Sequence, residues 1–391
     1  MTVASASLNN PPRRLRSLDA FRGFTIAAML LVNNPGNWSQ LYPPLAHAKW
    51  HGWTFTDCIF PFFLFIGGVA MALSLGRLAD AGANKRTLLI KLSKRAAIIF
   101  LIGLFLNLIP QFDLTQVRIM GVLQRIALCT VLAAPIVLYC NWRQQCVWIV
   151  GLLSFYTLVM LYLPVTDMHG VLVTGALAPG RDAGAYFDRL FLSGHMWSSS
   201  KVWDPEGLFT TIPALCSQLL GVLAGRYLLS DVKRWDKTKA MLVAGALCCL
   251  LASGIDASFM PINKSLWTTS YCLMMNGIAL ISFAGFYALL DIDSLPRLNR
   301  FANLLSAPLL IFGMNALFIF ALSGFIAKML TLIKIPDAQA NMVSLKAYIY
   351  APIKVATILE VNASLLFAIG FVLVMFSIAW GMWKQHWFIK V

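Results

Sequence analysis

The sequence predicts an all-α, polytopic membrane protein with about ten transmembrane helices and both termini on the inner side of the membrane. Hydrophobic residues make up 59% of the 391 residues, and charged residues only 12%. The mean hydropathy is +0.74, and the apolar runs are long enough to cross a hydrocarbon layer of about 30 Å. These runs are continuous rather than alternating, which excludes an outer-membrane β-barrel.

Ten apolar runs are expected to form the transmembrane helices. The first is short, and the ninth is long enough to require a tilt. A disordered tail is expected over residues 1–12, and residues 13–391 are expected to form a single transmembrane domain, because no separate soluble segment or internal repeat is visible. The ten runs are 19–33, 55–76, 88–108, 119–140, 146–164, 207–229, 239–255, 267–290, 304–327 and 363–383.

Lys and Arg residues are distributed unevenly among the connecting segments. With the N-terminus placed inside, the inner segments carry about twice as many of them as the outer segments. Positively charged loops stay in the cytoplasm, so this bias predicts an N-in, C-in, multi-pass membrane protein. The net charge of +15 therefore indicates contact with a lipid bilayer rather than with nucleic acid.

The eight cysteines indicate neither a disulfide framework nor a metal site. Most of them lie in or beside apolar runs, and none has the spacing of zinc ligands. We therefore predict small buried cysteines and no metal cofactor.

The stretch 32–68 is the most unusual part of the chain. Its first half is polar and aromatic and contains His47 and His51, and its second half is an apolar run with a single acid, Asp57. An ionisable group inside a membrane helix indicates a functional site by default. A hydrogen bond between His47 and Asp57, ten residues apart, is feasible. The alternatives are a purely helix-capping Asp57 and an ordinary interfacial His47, and His51 is expected to be a bystander.

The start of the second apolar run has its own backbone chemistry. Thr56 is predicted to cap the helix, with Asp57 in the first turn, where the helix dipole favours a negative charge. Pro61 has no N–H group for the carbonyl of Asp57. We expect that carbonyl to be free and to face a cavity.

Other unusual polar residues are predicted to lie on the same outer side. They come from five separate parts of the chain, and mere membrane anchors would favour both sides equally. A shared cavity that opens outward is therefore expected. The residues are Asn33 and Asn34; His47, His51 and Asp57; Arg118 and Arg125; Asp204 and Glu206; and Lys264.

Three further features leave alternatives open. Asp19 and Arg22 are expected to form an ion pair on one helix face. Asn315, inside the ninth run, needs a polar partner and joins two helices or contacts a ligand. The long outer loops 165–206 and 328–362 are possible lids, and an amphipathic segment at 344–360 fits a helix lying on the bilayer surface equally well.

Seven motifs occur in order along the chain: RLRSLDAFRG, VNNPG, HAKWHGWTFTDCIFPFFLF, RIMGVLQRIAL, DPEGL, PINKSLWTTSY and WFIKV. Together they resemble the heparan-α-glucosaminide N-acetyltransferase family, in particular its bacterial NagX-type branch, over residues 13–391. The resemblance implies a multi-span acetyltransferase, and its bacterial branch implies a place in the bacterial inner (cytoplasmic) membrane. It also implies a homodimer. Such enzymes take acetyl-CoA from the cytoplasmic side and acetylate a glucosamine amine on the far side.

The resemblance also implies roles for individual residues. His47 matches the active histidine of the family's HAxWxG motif, Asn33 its partner asparagine, and Asp57 the acid of the following segment. We expect the protein to differ from the lysosomal members by lacking their large lumenal domain and extra first span. Its NPGN loop also departs from the family's glycine run, so either Asn33 or Asn34 is the functional amide.

The expected chemistry is attack of an amine on a thioester. We expect His47 to accept the amine proton, Asp57 to orient the histidine ring, and Asn33 to donate a hydrogen bond to the thioester oxygen. Direct transfer is preferred, and an acetyl-His47 intermediate is the competing route.

The remaining site residues are assigned to binding of the two substrates. Arg125, Lys264 and Asn315 are assigned to acetyl-CoA, with inner basic residues near Arg22 and Arg95 as the alternative for its nucleotide. Glu206 and Asn34 are assigned to the amino-sugar acceptor, whose identity the sequence leaves open.

A secondary transporter of amino sugars or small anions is the rival function. Ten spans and charged groups at one membrane face would suit a transporter as well. The sequence shows no inverted repeat and no clear broken-helix pair, which counts against a transporter.

Overall fold

The structure is a computed structural model that describes residues 15–292 and 296–389. The described chain is mostly helical, with two short two-stranded hairpins. The predicted all-α fold class is therefore confirmed. The tail predicted at residues 1–12 lies outside the described residues.

Each of the ten predicted apolar runs lies mainly within a helix or, for the ninth, within two helices. The second helix, α2, continues through a π-helical stretch, Ala72–Gly76, into α3 (Arg77–Asp80). The other helices of these runs are α1 (Arg16–Asn33), α4 (Lys85–Leu108), α5 (Val122–Tyr139), α6 (Trp142–Tyr162), α8 (Thr211–Leu228), α9 (Arg234–Ser258), α10 (Thr269–Leu290), α11 (Pro296–Met314), α12 (Ala316–Leu332) and α14 (Glu360–Lys384), while α2 itself is Phe55–Met71.

Six of the described helices are long and apolar enough to cross a membrane, and the α11–α12 pair is a seventh such segment if it counts as one span. Helices α1, α4 and α8 are at least as long as the shortest of these, but they are too polar to be counted with them. The protein is thus a helical membrane protein with six or seven candidate spans among its described residues. The count of ten and the N-in, C-in orientation stay predictions.

The ninth predicted helix, 304–327, is wrong as a single element. The chain breaks at Asn315, and the two halves meet at a bend of 75°. Asn315 itself has φ −122° and ψ 32°, outside the helical region. Just before the break, Gly313 approaches α1 so closely that an added Cβ would lie 2.1 Å from the carbonyl oxygen of Asp19. The broken helix that the sequence did not reveal is therefore present.

Helix α2 is the centre of the bundle. Of the most apolar stretch of the α2–α3 segment, 72% is buried, against 17% for the peripheral α9. Glycines allow α2 and α8 to pack backbone to backbone. A Cβ at Gly68 would lie 1.9 Å from the carbonyl oxygen of Gln218, and one at Gly221 would lie 2.1 Å from that of Phe65. This contact fixes the position of α8 against α2.

The two long connections predicted as outer loops contain short elements. The first holds the hairpin β1 (Val165–Thr166) and β2 (Leu172–Val173), followed by α7 (Ala183–Leu192). The second holds the hairpin β3 (Lys334–Pro336) and β4 (Met342–Ser344), followed by α13 (Leu345–Ala356). The amphipathic segment predicted at 344–360 is therefore helical over α13, which packs against α12 and α14.

The close approach of α2 and α8 makes a prediction about neighbouring glycines. Gly68→Val should lower stability by about 1–3 kcal/mol or more, because the new side chain would overlap the backbone of α8. The thermal midpoint of the detergent-purified protein measures this loss. Gly67→Ala is the matched control, since its Cβ would meet only the Gln218 amide, at 4.0 Å. Equal midpoints for the two variants would contradict the packing.

Candidate active site

The carboxylate of Asp57 is held at the start of α2. Thr54, not Thr56, is the N-cap, and its N–H donates to Asp57 Oδ2 at 3.0 Å as half of a capping box. The N–H of Ala48 donates to the same oxygen at 3.1 Å. The prediction for Thr56 is wrong because the helix begins at Phe55, so Thr56 lies inside its first turn and donates instead to the carbonyl of Pro44.

The other oxygen of Asp57 contacts His47. The distance from His47 Nδ1 to Asp57 Oδ1 is 2.7 Å, which confirms the predicted hydrogen bond. The Asp57 side chain is fully buried, whereas 44% of the His47 side chain is exposed. An ionised carboxylate only accepts hydrogen bonds, so the proton belongs on Nδ1 and the lone pair on Nε2. Asp57 thus orients the imidazole through Nδ1, while the exposed part of the ring is accessible from solvent.

The backbone carbonyl of Asp57 does not face a cavity as predicted. Pro61 leaves it without its helical partner, and the buried hydroxyl of Tyr271 donates to it at 2.6 Å. A freed carbonyl in an apolar core requires a donor, and α10 provides one. This bond ties α2 to α10.

Lys264 lies beside the histidine ring. Its Nζ is 3.1 Å from Nδ1 and 3.2 Å from Nε2 of His47, and 3.8 Å from Asp57 Oδ1. An atom almost equidistant from both ring nitrogens cannot align with the lone pair of Nε2, so the ammonium faces the ring between the two nitrogens. Burial lowers the pKa of Lys264, although the charges of Glu206 and Asp57 oppose the shift.

A backbone contact explains why Lys264 reaches His47. The N–H of Gly52 donates to the carbonyl of Ile262 at 2.7 Å, and Gly52 forms an isolated bridge with Asn263. Gly52 has φ +92°, a conformation that other residues rarely adopt. The histidine loop and the Lys264 loop are therefore joined next to the site.

Arg118 gathers two acids into a second cluster. Its Nε donates to Asp204 Oδ2 at 2.8 Å, and its Nη2 lies 2.5 Å from both Asp204 Oδ1 and Glu206 Oε2. Burial raises the pKa of Glu206, but the charges of Arg118, Arg125 and Lys264 outweigh burial and hold that pKa below its ordinary value. Lys264 thus links this cluster electrostatically to His47 and Asp57.

Arg125 is fully buried and lies next to the cluster of Arg118, Asp204 and Glu206. Its Nη2 donates to the carbonyl of Gly207 at 3.0 Å and to the hydroxyl of Thr210 at 2.5 Å, and its guanidinium lies 5.2 Å from the ring centre of Trp267. These contacts brace the turn that carries Glu206. Arg125 and Lys264 are absent from the walls of the large cavity described below, and their assignment to acetyl-CoA stays a prediction.

The motif-bearing part of the chain matches a known family. Residues 14–252, which include His47, Asp57 and Glu206, match the sequence model described as "Heparan-alpha-glucosaminide N-acetyltransferase, catalytic". The chain belongs to this family. The predicted family is therefore confirmed, whereas its bacterial NagX-type branch stays a prediction.

Two curated relatives in the family carry the name heparan-alpha-glucosaminide N-acetyltransferase. The Homo sapiens protein is 29% identical, over 75% of this chain and 51% of its own length. The Mus musculus protein is 30% identical, over 72% of this chain and 50% of its own length. The chain thus spans about half the length of the curated relatives it matches.

The two asparagines at the end of α1 differ in environment. Asn34 is buried, and its Nδ2 donates to the carbonyl of Leu30 at 2.8 Å. Asn33 is exposed, and within the described part of the chain its amide forms no hydrogen bond. Of these two asparagines, Asn33 is the one whose amide is exposed to solvent and free of hydrogen bonds.

A large cavity of about 660 Å³ runs beside α2 from Phe63 to Leu75. Its residues on α2 lie beyond Asp57, toward the end of the helix opposite to His47. Most of its wall is apolar, and two cations, Arg22 and Arg95, belong to it. The predicted Asp19–Arg22 ion pair is confirmed at 3.3 Å. Arg22 and Arg95 are grouped on sequence grounds as an alternative site for the nucleotide of acetyl-CoA, and the two side chains do line the same cavity.

Asn315 belongs to the same cavity wall, on the broken helix. Its Nδ2 donates to the carbonyl of Trp387 at 2.9 Å, and its Oδ1 accepts from the N–H of Ile389 at 2.9 Å. Phe388 and Ile389 also line the cavity. Asn315 therefore holds the C-terminal segment against the cavity.

The histidines and acids that the structure describes do not gather into a metal site. Within residues 15–292 and 296–389, no group of three or more His, Cys, Asp or Glu side chains is arranged to hold a metal ion. His51 is exposed and contacts the Trp50 ring at a centroid distance of 6.3 Å. Its expected bystander role stays a prediction.

Sequence reasoning missed Asp188 on α7. Its carboxylate accepts from the N–H groups of Leu208 at 2.8 Å and Asp204 at 3.4 Å, so it supports the turn that carries Glu206. Burial, reinforced by the charge of Asp204, raises the pKa of Asp188 to about 7. The available signal was an acid amid the aromatic and apolar residues of α7.

Asp188 makes the stability of the protein pH-dependent. The folded protein binds one extra proton between the ordinary pKa of 3.8 and the raised value of about 7. Stability should therefore fall as the pH rises through this window, by at most about 1.4 kcal/mol per pH unit for one proton. Thermal midpoints between about pH 5 and about pH 7 should fall less steeply in Asp188→Asn than in wild type. Asp113→Asn, at an exposed carboxyl, is the control, and an unchanged slope in Asp188→Asn would contradict the assignment.

Proposed function

We propose that the protein is a membrane-embedded acetyltransferase that moves the acetyl group of acetyl-CoA to the amine of a glucosamine-type sugar. The observation that carries this proposal is the His47–Asp57 pair, joined at 2.7 Å with the ring exposed and the carboxylate buried. Membership of the family, whose two curated relatives are named for this activity, supports the same reaction.

His47 acts as the general base in this proposal. A sugar amine is largely protonated near neutral pH and must lose a proton to act as a nucleophile. That proton goes to water, and the amine binds in its neutral form. As the neutral nitrogen attacks the carbonyl carbon of the thioester, Nε2 takes a second proton from it. The C–S bond then breaks, and the imidazolium returns the proton to the departing thiolate. Asp57 holds the ring in the required tautomer and stabilises the transient imidazolium.

Asn33 donates a hydrogen bond to the thioester oxygen as negative charge develops there. Its exposed and uncommitted amide supports this role over Asn34, whose Nδ2 is bound to the backbone. In other enzymes, removal of one such donor costs about 3–4 kcal/mol of transition-state stabilisation. An acetyl-His47 intermediate is the competing route, and trapping of acetyl on His47 by acetyl-CoA alone would favour it.

Lys264 keeps the acceptor amine neutral. Its ammonium is adjacent to the His47 ring, so it repels a protonated amine bound at the same place. Glu206 binds the amine or a hydroxyl of the acceptor through Oε1, because Arg118 occupies Oε2. Asn34 contributes to the acceptor site indirectly, because its side chain holds the end of α1 by donating to the carbonyl of Leu30.

Acetyl-CoA occupies the large cavity in this proposal. Its apolar walls suit a narrow arm, and Arg22 and Arg95 suit the phosphate groups. The end of α2 opposite to His47 then faces the cytoplasm. This arrangement is consistent with N-in, C-in topology, ten spans and a place in the inner membrane, and a homodimer stays an expectation.

A secondary transporter of amino sugars or small anions is the second candidate. The broken helix α11–α12 lies beside the large cavity, and transporters bind their substrates at broken helices. A transporter changes no covalent bond, so the mass of the sugar after incubation separates the two functions.

The first functional prediction concerns His47. His47→Ala should lower acetyl transfer from labelled acetyl-CoA to glucosamine by about 10²–10⁴-fold, because the base is lost. Mass spectrometry of the sugar measures the product. His51→Ala, at a neighbouring exposed histidine, is the matched control and should keep wild-type activity. Full activity in His47→Ala would overturn both mechanisms.

The second functional prediction concerns Lys264. Lys264→Met should shift the acidic limb of the kcat–pH profile to higher pH, because the bound amine would no longer be near a positive charge. Lys264→Arg is the control: it retains the positive charge, and its kcat–pH profile should match that of the wild type. If the methionine variant has the wild-type profile, Lys264 does not act on the amine.

A further inference from the structure

Gln218 is a buried amide on the wall of the large cavity. It lies on α8, has 2% exposure, and belongs to a wall that is otherwise mainly apolar. Its backbone is held by the close packing of α8 on Gly68 of α2. The position of the amide along the cavity is therefore determined by the central helix pair.

The Gln218 amide has no protein partner in the described part of the chain. Its Oε1 is buried and forms no hydrogen bond. Its Nε2 lies near Gly67, at 4.0 Å from the position that a Cβ atom on that glycine would occupy, which is an ordinary van der Waals distance. Leaving a buried polar group unpaired is costly. Ser74, a second polar residue of the wall, differs because its hydroxyl already donates to the carbonyl of Ala70 at 2.7 Å.

The place of Gln218 suggests what pairs with it. It faces Gly67, ten residues beyond Asp57 on α2, which corresponds to about 15 Å along the helix axis. Arg22 and Arg95 belong to the same cavity. Consider a ligand whose phosphates bind at these cations and whose reactive end lies near His47. The linear segment between its two ends would then lie beside Gln218.

We propose that Gln218 positions the acyl donor by hydrogen bonding to an amide in the linear arm of a pantetheine-type acyl carrier. An amide ligand is the best complement, because a glutamine both donates and accepts, and a second amide does the same. The inference rests on the proposed function for the direction of the arm. Coenzyme A and the prosthetic arm of an acyl carrier protein share this chemistry.

The test measures binding without turnover. The thermal midpoint of detergent-purified protein is followed against the concentration of pantetheine, coenzyme A or holo-acyl carrier protein. Gln218→Leu should weaken binding of pantetheine and of the preferred full-length carrier about three- to tenfold, as expected for one lost hydrogen bond. Without ligand, Gln218→Leu should be at least as stable as wild type, because it removes an unpaired buried amide. Ser74→Ala is the matched control in the same wall and should bind as wild type does.

The outcomes separate this inference from the proposed function. Equal pantetheine affinity in Gln218→Leu and wild type, or no response of the wild type to pantetheine and either carrier, overturns the role of Gln218. A response to the acyl carrier protein but not to coenzyme A, weakened in Gln218→Leu, supports Gln218 and overturns acetyl-CoA as the donor. Loss of stability in ligand-free Gln218→Leu would show a merely structural role.

Discussion

The buried carboxylate of Asp57 is the constraint on which the site depends. A carboxylate removed from water must have its oxygens paired, and here the histidine loop provides the partners. His47 contacts one oxygen, and the backbone of Ala48 and Thr54 contacts the other. The carbonyl of Asp57, freed by a proline, accepts from Tyr271. One residue thus orients the ring, starts α2 and joins α2 to α10.

Helix α2 also connects the site to the large cavity. Its first turn holds the carboxylate, and its later turns form one wall of the cavity. Glycines bring α8 against it, which places Gln218 on that wall. The break at Asn315 and the C-terminal segment that Asn315 holds lie on the same cavity. The central helix therefore carries a polar site at one end and a mainly apolar cavity along its length.

Several features of the site could be predicted because they are local. The spacing of His47 and Asp57 allowed their hydrogen bond, and the apolar runs revealed the helices. Thr56 was chosen as the cap although Thr54 is the N-cap, because the two threonines, two residues apart, offer the same side-chain oxygen. The partner of the Asp57 carbonyl was missed, since Tyr271 is 214 residues away.

The sequence by itself determined the helical membrane fold, the family and the pairing of one histidine with one acid, because apolar length, motif order and short spacing are properties of the chain alone. The tertiary structure decided what meets across elements. It brought Lys264 to His47 through the Gly52 bridge, broke the ninth helix at Asn315 and left the Gln218 amide facing a cavity. These outcomes depend on how helices pack side by side, and the order of residues along one helix does not specify its neighbours.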